Sequence, residues 1–230
     1  MTIGIIGAMD EEVELLKQSM DIQREITKGG CQFFEGTLKG KAVILLKSGI
    51  GKVNAAMSTT ILHERYHPDY VINTGSAGGF SAELEVGDLI ISDRVLHHDV
   101  DVTVFNYAYG QVPGMPPHYE ADERLISLAI SAAGSIKGIQ AVKGLIATGD
   151  SFMNEEGRIE FIRKQFPDMQ AAEMEAAAIA QVCYQYGTPF VIVRSLSDIA
   201  GKESHISFEK YLSQAAQHSA QLIMEMLKDI

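Results

Sequence analysis

Cysteine is nearly absent: the 230-residue chain has two, Cys31 and Cys183, too few and too far apart for a disulfide framework. Both sit among apolar or small residues and are expected to be buried, inert thiols. Proline is scarce, at 6 residues, and no run approaches the roughly 20 apolar residues needed to span a bilayer. The opening MTIGIIGAMDEE has no basic segment before its short apolar run, and acids follow directly, so it does not read as an export signal. A cytoplasmic chain is expected. Basic charge is also short: 19 Lys and Arg against 30 Asp and Glu give a net charge of −11, which argues against a nucleic-acid or anionic-membrane surface. A small molecule or a second copy of the chain is the expected partner.

Hydrophobic residues make up 46% of the chain, enough for one sizeable core spanning 1–230 as a single domain. Short, β-branched apolar runs at 2–8, 42–48, 70–75, 88–98, 144–149 and 189–198 alternate with helical patterns at 10–20, 53–65, 122–133, 155–165, 173–186 and 207–228. Most runs are continuously apolar, as strands covered on both faces must be. The pattern predicts an α/β fold, a three-layer sandwich with a central mixed, largely parallel sheet flanked by helices. The long irregular stretch 105–122, rich in aromatics and proline, reads as a packed loop that covers something.

Ligand sites in such sheets collect at the carboxyl ends of strands. Those ends read Gly7-Ala8-Met9-Asp10-Glu11-Glu12, Ser48-Gly49-Ile50-Gly51-Lys52, Thr74-Gly75-Ser76-Ala77-Gly78-Gly79, Gly149-Asp150-Ser151-Phe152 and Arg194-Ser195-Leu196-Ser197-Asp198. Each has a plain reading beside a functional one. Asp10 and Glu11 suit a helix N-terminus. SGIGK lacks the spacing of a nucleotide-triphosphate loop. TGSAGG is either a tight turn or a place where backbone approaches a ligand. Asp198 is either a cap or a catalytic acid, and Phe152 and Phe208 are by default core aromatics. HHDVD, residues 97–101, invites a metal reading, but adjacent strand residues point to opposite faces and no further His or Cys cluster completes a set.

GIIGAMDEEV, LLKSGIGKVNAA, VINTGSAGG, HHDVDVT, YGQVPG, GLIATGDSF, AAEMEAAAIA and VRSLSDIAGKESHISF occur in one order over nearly the full length. In these motifs the chain resembles the bacterial 5′-methylthioadenosine/S-adenosylhomocysteine nucleosidases of the purine nucleoside phosphorylase superfamily. The resemblance implies hydrolysis of the N-glycosidic bond of 5′-thio-substituted adenosines, no cofactor, and a homodimer. It assigns Asp198 as general acid toward adenine N7, with Ser197 helping to hold it, and Glu12 as the base that activates water. Glu175 would receive the ribose hydroxyls, with Met174 packed on the sugar and Ser76, Gly78 and Arg194 completing the sugar and water side. Phe152 would stack on adenine and the Met153 backbone would bond its edge. Ile50, Phe105, Tyr107, Pro113 and Phe208 would wall the 5′-alkylthio group, partly across the dimer. Glu173 and Glu175, expected in the first turn of helix 173–186, lie two residues apart and therefore point in different directions.

The chain departs from the family pattern at Val104 and Asn106, where Ala and Gly are expected in T-A-F-G-Y, and at Ser195, where Ala is expected in R-A-x-S-D. These positions bear on the choice among methylthio, homocysteinyl and 5′-deoxy substrates. Phosphorolysis is the nearest alternative, and it is disfavoured if Glu12 faces the pocket, since a carboxylate there repels phosphate but tolerates water. A binding protein without catalysis would have no need of Glu12 and Asp198 together.

Overall fold

A computed structural model describes residues 1–136, 138–202 and 204–230 of the chain. The six apolar runs form strands β1 (Thr2–Gly7), β4 (Lys41–Lys47), β5 (Tyr70–Gly79), β6 (Leu89–His97), β8 (Ala141–Thr148) and β10 (Phe190–Ile199). β10 is buried along its whole length and most of β1 and β5 is buried too, which is why these runs carry no polar alternation. The structure adds the antiparallel pair β2 (Asp21–Lys28) and β3 (Cys31–Leu38), the two-residue β7 (Tyr119–Glu120), and β9 (Met169–Glu173). The helices are α1 (Asp10–Ser19), α2 (Lys52–Tyr66), α3 (Glu123–Ala133), α4 (Glu156–Gln165), α5 (Ala176–Tyr186) and α6 (Ser204–Met226). In the helical segment expected at 207–228, Ala215, Ala216, Leu222 and Leu227 are buried, with Phe208, Tyr211 and Leu212 partly so.

The strands join in one mixed sheet. Among the described residues five pairings are parallel (β1–β4, β1–β5, β5–β10, β6–β8, β8–β9) and five antiparallel (β2–β3, β3–β4, β5–β9, β6–β7, β6–β10), so the sheet is mixed. The reason lies in the short return strands and the β2–β3–β4 meander, whose hairpin connections need no crossover helix. Nor is the sheet a simple open layer: β5, β10, β6, β8 and β9 pair in a closed ring, and from β5 the sheet continues through β1, β4 and β3 to β2. Helices flank it in two groups, α1 and α3 against α6, and α2 against α5. Cys31 and Cys183 are both free and buried. In the 105–122 stretch, Tyr109 packs on Phe161 and Phe166, and a Cβ at Gly110 would meet the His97 carbonyl oxygen at 2.4 Å, so the loop is pinned close to the sheet.

Candidate active site

The carboxyl ends of β1, β5, β9 and β10 open into one cavity of ≈ 250 Å³. Glu12, Ile50, Ser76, Gly78, Phe152, Met153, Met174, Glu175, Ser197, Asp198 and Phe208 all line it, together with Ala8, Met9, Ala77, Ser151, Ala172 and Glu173. Among the described residues four acidic residues, Glu12, Glu173, Glu175 and Asp198, line this space and no lysine or arginine does.

Glu12 sits in the first turn of α1 and is 2% exposed. Its Oε2 accepts the backbone N–H groups of Ala8 (2.7 Å) and Met9 (3.3 Å), the reach-back of a residue at the third helical position. Its Oε1 accepts the Ser76 N–H (2.9 Å) and the Ser76 hydroxyl (3.1 Å). The Gly75 backbone passes so close that an added Cβ would lie 2.6 Å from Glu12 Oε1 and 2.3 Å from Arg194 Nη1. Glycine in TGSAGG is thus needed for close approach, here to the protein's own charged side chains.

Arg194, 1% exposed, stands behind the cavity wall rather than in it. Its Nη2 donates to Asn73 Oδ1 (2.7 Å), Glu173 Oε2 and Glu175 Oε2 (3.4 Å), its Nη1 donates to the Ser76 carbonyl oxygen (3.3 Å), and Glu12 Oε1 lies 4.0 Å away. One cation therefore serves three carboxylates, as a buried charge requires partners.

The two acids of AAEMEAAAIA separate here. Glu173 ends β9 and Glu175 is the residue before α5, so neither lies in a first helical turn as expected; pairing of β9 with β8 and β5 holds the segment extended up to Glu173. Glu173 Oε2 accepts the N–H groups of Glu175 (2.9 Å) and Ala176 (2.8 Å), capping α5, while Thr148 Oγ1 donates to its Oε1. Glu175 Oε1 accepts the Gly51 N–H at 2.8 Å. Burial pushes the Glu175 carboxyl up to about 8, with the neighbouring Glu173 charge adding to it and Arg194 opposing.

Asp198 is 3% exposed near the end of β10, and the Ser197 hydroxyl donates to its Oδ1 at 2.9 Å. A Cβ at Gly78 would stand 3.0 Å from Asp198 Oδ2, so glycine keeps the cavity open beside this carboxyl. The β5–β10 register slips between Leu196 and Asp198, the irregularity that turns the strand end at the site. Phe152, 43% exposed, meets Phe208 edge-on with ring centroids 5.8 Å apart, so these aromatics form a wall rather than core.

Residues 2–228 match the family model of the phosphorylase superfamily. The 5′-methylthioadenosine/S-adenosylhomocysteine nucleosidase of Anoxybacillus flavithermus is 62% identical over 230 residues, covering all of this chain and 99% of that protein. The chain belongs to the methylthioadenosine/S-adenosylhomocysteine nucleosidase family. Two solved members of the family superpose closely. The Neisseria meningitidis nucleosidase in complex with methylthio-immucillin-A gives a TM-score of 0.97 at 46% identity, covering 100% of this chain and 99% of that one. The Colwellia psychrerythraea nucleosidase in complex with adenine gives 0.96 at 50% identity, covering 99% and 94%.

Not every residue implied by the family pattern meets at the cavity. Phe105, Tyr107 and Pro113 do not line it; Phe105 is 71% exposed and Pro113 is exposed too. Of the departures from the family pattern, Asn106 holds the left-handed conformation at φ 63°, which explains how it stands where glycine is expected. Ser195 turns its hydroxyl to the Gly87 carbonyl oxygen (3.3 Å), away from the lining residues, and Val104 is exposed. In HHDVD, His97 bonds Gln181 (3.1 Å) and His98 is buried against Gly149; burial lowers the proton affinity of both rings. Among the described residues no three His, Cys, Asp or Glu side chains are grouped to hold a metal ion. Sequence reading misses Asn73 and Ala172. A lone asparagine in the apolar VINTG run was the available signal for the first, and the second carries none.

Proposed function

We infer that the chain hydrolyses the N-glycosidic bond of 5′-methylthioadenosine and S-adenosylhomocysteine, releasing adenine and the corresponding thioribose. The observation that carries this reading is the Glu12 carboxylate in the cavity wall: buried, met by four donor contacts, in a space with three further carboxyls and no lining cation. With no cation lining the cavity beside it, the Glu12 carboxylate repels phosphate and favours the positive charge that grows on the ribose as the bond breaks.

In this reading adenine lies between Phe152 and Asp198, with the Met153 backbone at its edge. Asp198 gives its proton to N7, so that the base leaves neutral as the bond from N9 to C1′ cleaves. Water reaches C1′ from the opposite side, held by Ser76, whose hydroxyl can turn from Glu12 toward it, and Glu12 takes the water's proton. Two carboxyls flanking the broken bond with room for water between is the logic of an inverting glycosidase. Glu175 accepts the ribose hydroxyls beside Met174, and Arg194 steadies it from behind. Ile50 and Phe208 face the 5′ substituent, with Phe105, Tyr107 and Pro113 of a second copy closing that end. The cellular role would be clearance of by-products of S-adenosylmethionine use and return of adenine and methylthioribose to methionine salvage.

Product analysis with 5′-methylthioadenosine tests this, once in phosphate-free buffer and once with phosphate. Adenine and free methylthioribose in both are expected. Adenine formed only with phosphate, together with methylthioribose 1-phosphate, would make the enzyme a phosphorylase.

A further inference from the structure

The HHDVD motif has no part in the chemistry above, yet its Asp99 closes a ring of hydrogen bonds between three strand-end segments. Lys52, the first residue of α2, donates its backbone N–H to Asp150 Oδ1 (2.8 Å) and its ammonium to Asp99 Oδ1 (2.6 Å). The Asp150 N–H donates to Asp99 Oδ2 (3.0 Å). The Lys52 and Asp99 side chains are only 21% and 17% exposed, so this ion pair is shielded more than a surface pair. Burial pushes the Asp99 carboxyl up, but Lys52 and the Asp150 N–H outweigh it and hold the group below the usual carboxylate range.

Two of the three corners, Lys52 and Asp150, adjoin the cavity. Next to Lys52, Gly51 donates its N–H to Glu175 Oε1, and Ile50 lines the cavity. Gly51 is at φ 94°, and a Cβ there would stand 3.1 Å from Asp150 Oδ1, so the two segments touch where only glycine fits. Next to Asp150, Ser151, Phe152 and Met153 line the cavity. A shift at Asp150 therefore moves the base side and the Glu175 side relative to each other.

We propose that Asp99, Lys52 and Asp150 form a positioning clamp that sets the spacing between the base-side loop 151–153 and the ribose-side residue Glu175. This rests on the assignment of base and ribose sides given above. A nucleoside, which spans both sides, depends on the clamp; free adenine, which touches one, does not.

The test uses Lys52→Met, Asp99→Asn and the double variant, with KM and kcat for 5′-methylthioadenosine, and calorimetric affinities for adenine and for the nucleoside measured with each change placed in an Asp198→Asn background that stops hydrolysis. Asp99→Asn keeps the size of the side chain and an acceptor for the Asp150 N–H, so it folds even where the lysine variant does not. Each single change is expected to raise KM roughly tenfold, the scale of a sub-ångström misplacement, with kcat little changed and adenine affinity unaltered. The double variant should be no worse than the poorer single. Equal losses for adenine and nucleoside, no loss for either, or additive losses would each overturn the clamp. The calorimetric readings need no turnover, so inactivity of the wild-type chain toward the nucleoside would defeat the proposed reaction without deciding the clamp.

Discussion

Asp198, Glu12 and Glu175 share one cavity but differ in what surrounds them, and their substitutions should differ accordingly. Asp198→Asn keeps the shape beside Ser197 and Gly78 but has no acidic proton to give. Adenine should still bind while kcat falls by about 10²–10⁴-fold, the usual worth of a positioned acid; near-normal turnover would remove Asp198 from that role. Glu12→Gln puts an amide where four donor contacts converge, so it should lose hydrolysis and also some stability, which thermal unfolding beside kinetics will separate. Glu175 offers a pH test. Its folded-state value of about 8 lies above the ordinary 4.5, so its stabilising contribution is complete below pH 4.5 and is lost as pH rises toward 8. The wild type should therefore lose stability across that window, by at most about 1.4 kcal/mol per pH unit from this group, and Glu175→Gln should flatten the slope. Denaturant titrations between pH 5 and 9 that give parallel curves would contradict it.

At the scale of elements, the junction of β9 and α5 joins fold and site. Glu173 caps α5 through two N–H groups and holds Arg194, so Glu173→Ala removes a cap and leaves a buried guanidinium short of a partner. The expected cost is about 3–5 kcal/mol in urea unfolding, and a loss below about 1 kcal/mol would mean that Glu175 and Glu12 can balance Arg194 unaided. This junction is also where sequence reading goes astray. AAEMEAAAIA is made of strong helix formers, and propensity alone starts the helix at 173. The ladder to β5 and β8 overrides it, a non-local effect that periodicity cannot report. β2 is likewise invisible to an apolar-run criterion, because Asp21–Lys28 is mostly exposed and, among the described residues, pairs with β3 alone. By contrast β1, β4, β5, β6, β8 and β10 are legible as continuous apolar runs, and the cavity residues at their ends are legible because polar and glycine residues interrupt those runs abruptly. Ala77 and Ala172 could not stand out, since they line the cavity through being small.

At the scale of the molecule, the distribution of apolar surface argues for assembly. Val53 is 78% exposed, Phe105 71% and Val104 82%, and a groove beside the Lys52 clamp is lined by Val53, Ala56, Val100, Val112, Val182 and Tyr186. Exposed apolar side chains lining a groove are what an interaction site presents. Its Lys52 and Val53 follow Ile50 closely in sequence, and Ile50 is half exposed at the cavity, so a partner seated there would also reach the end of the site assigned above to the 5′ group. A homodimer satisfies both conditions if the exposed Phe105 of each copy reaches the other's cavity. Sedimentation should then give twice the 25.1 kDa chain mass. Val53→Glu, which places a charge in the groove without touching the cavity lining, should shift the chain toward monomer and raise KM for 5′-methylthioadenosine more than it lowers adenine affinity. A wild-type monomer with full activity would show instead that one chain closes its own 5′ pocket and that Phe105 of a second copy is not needed.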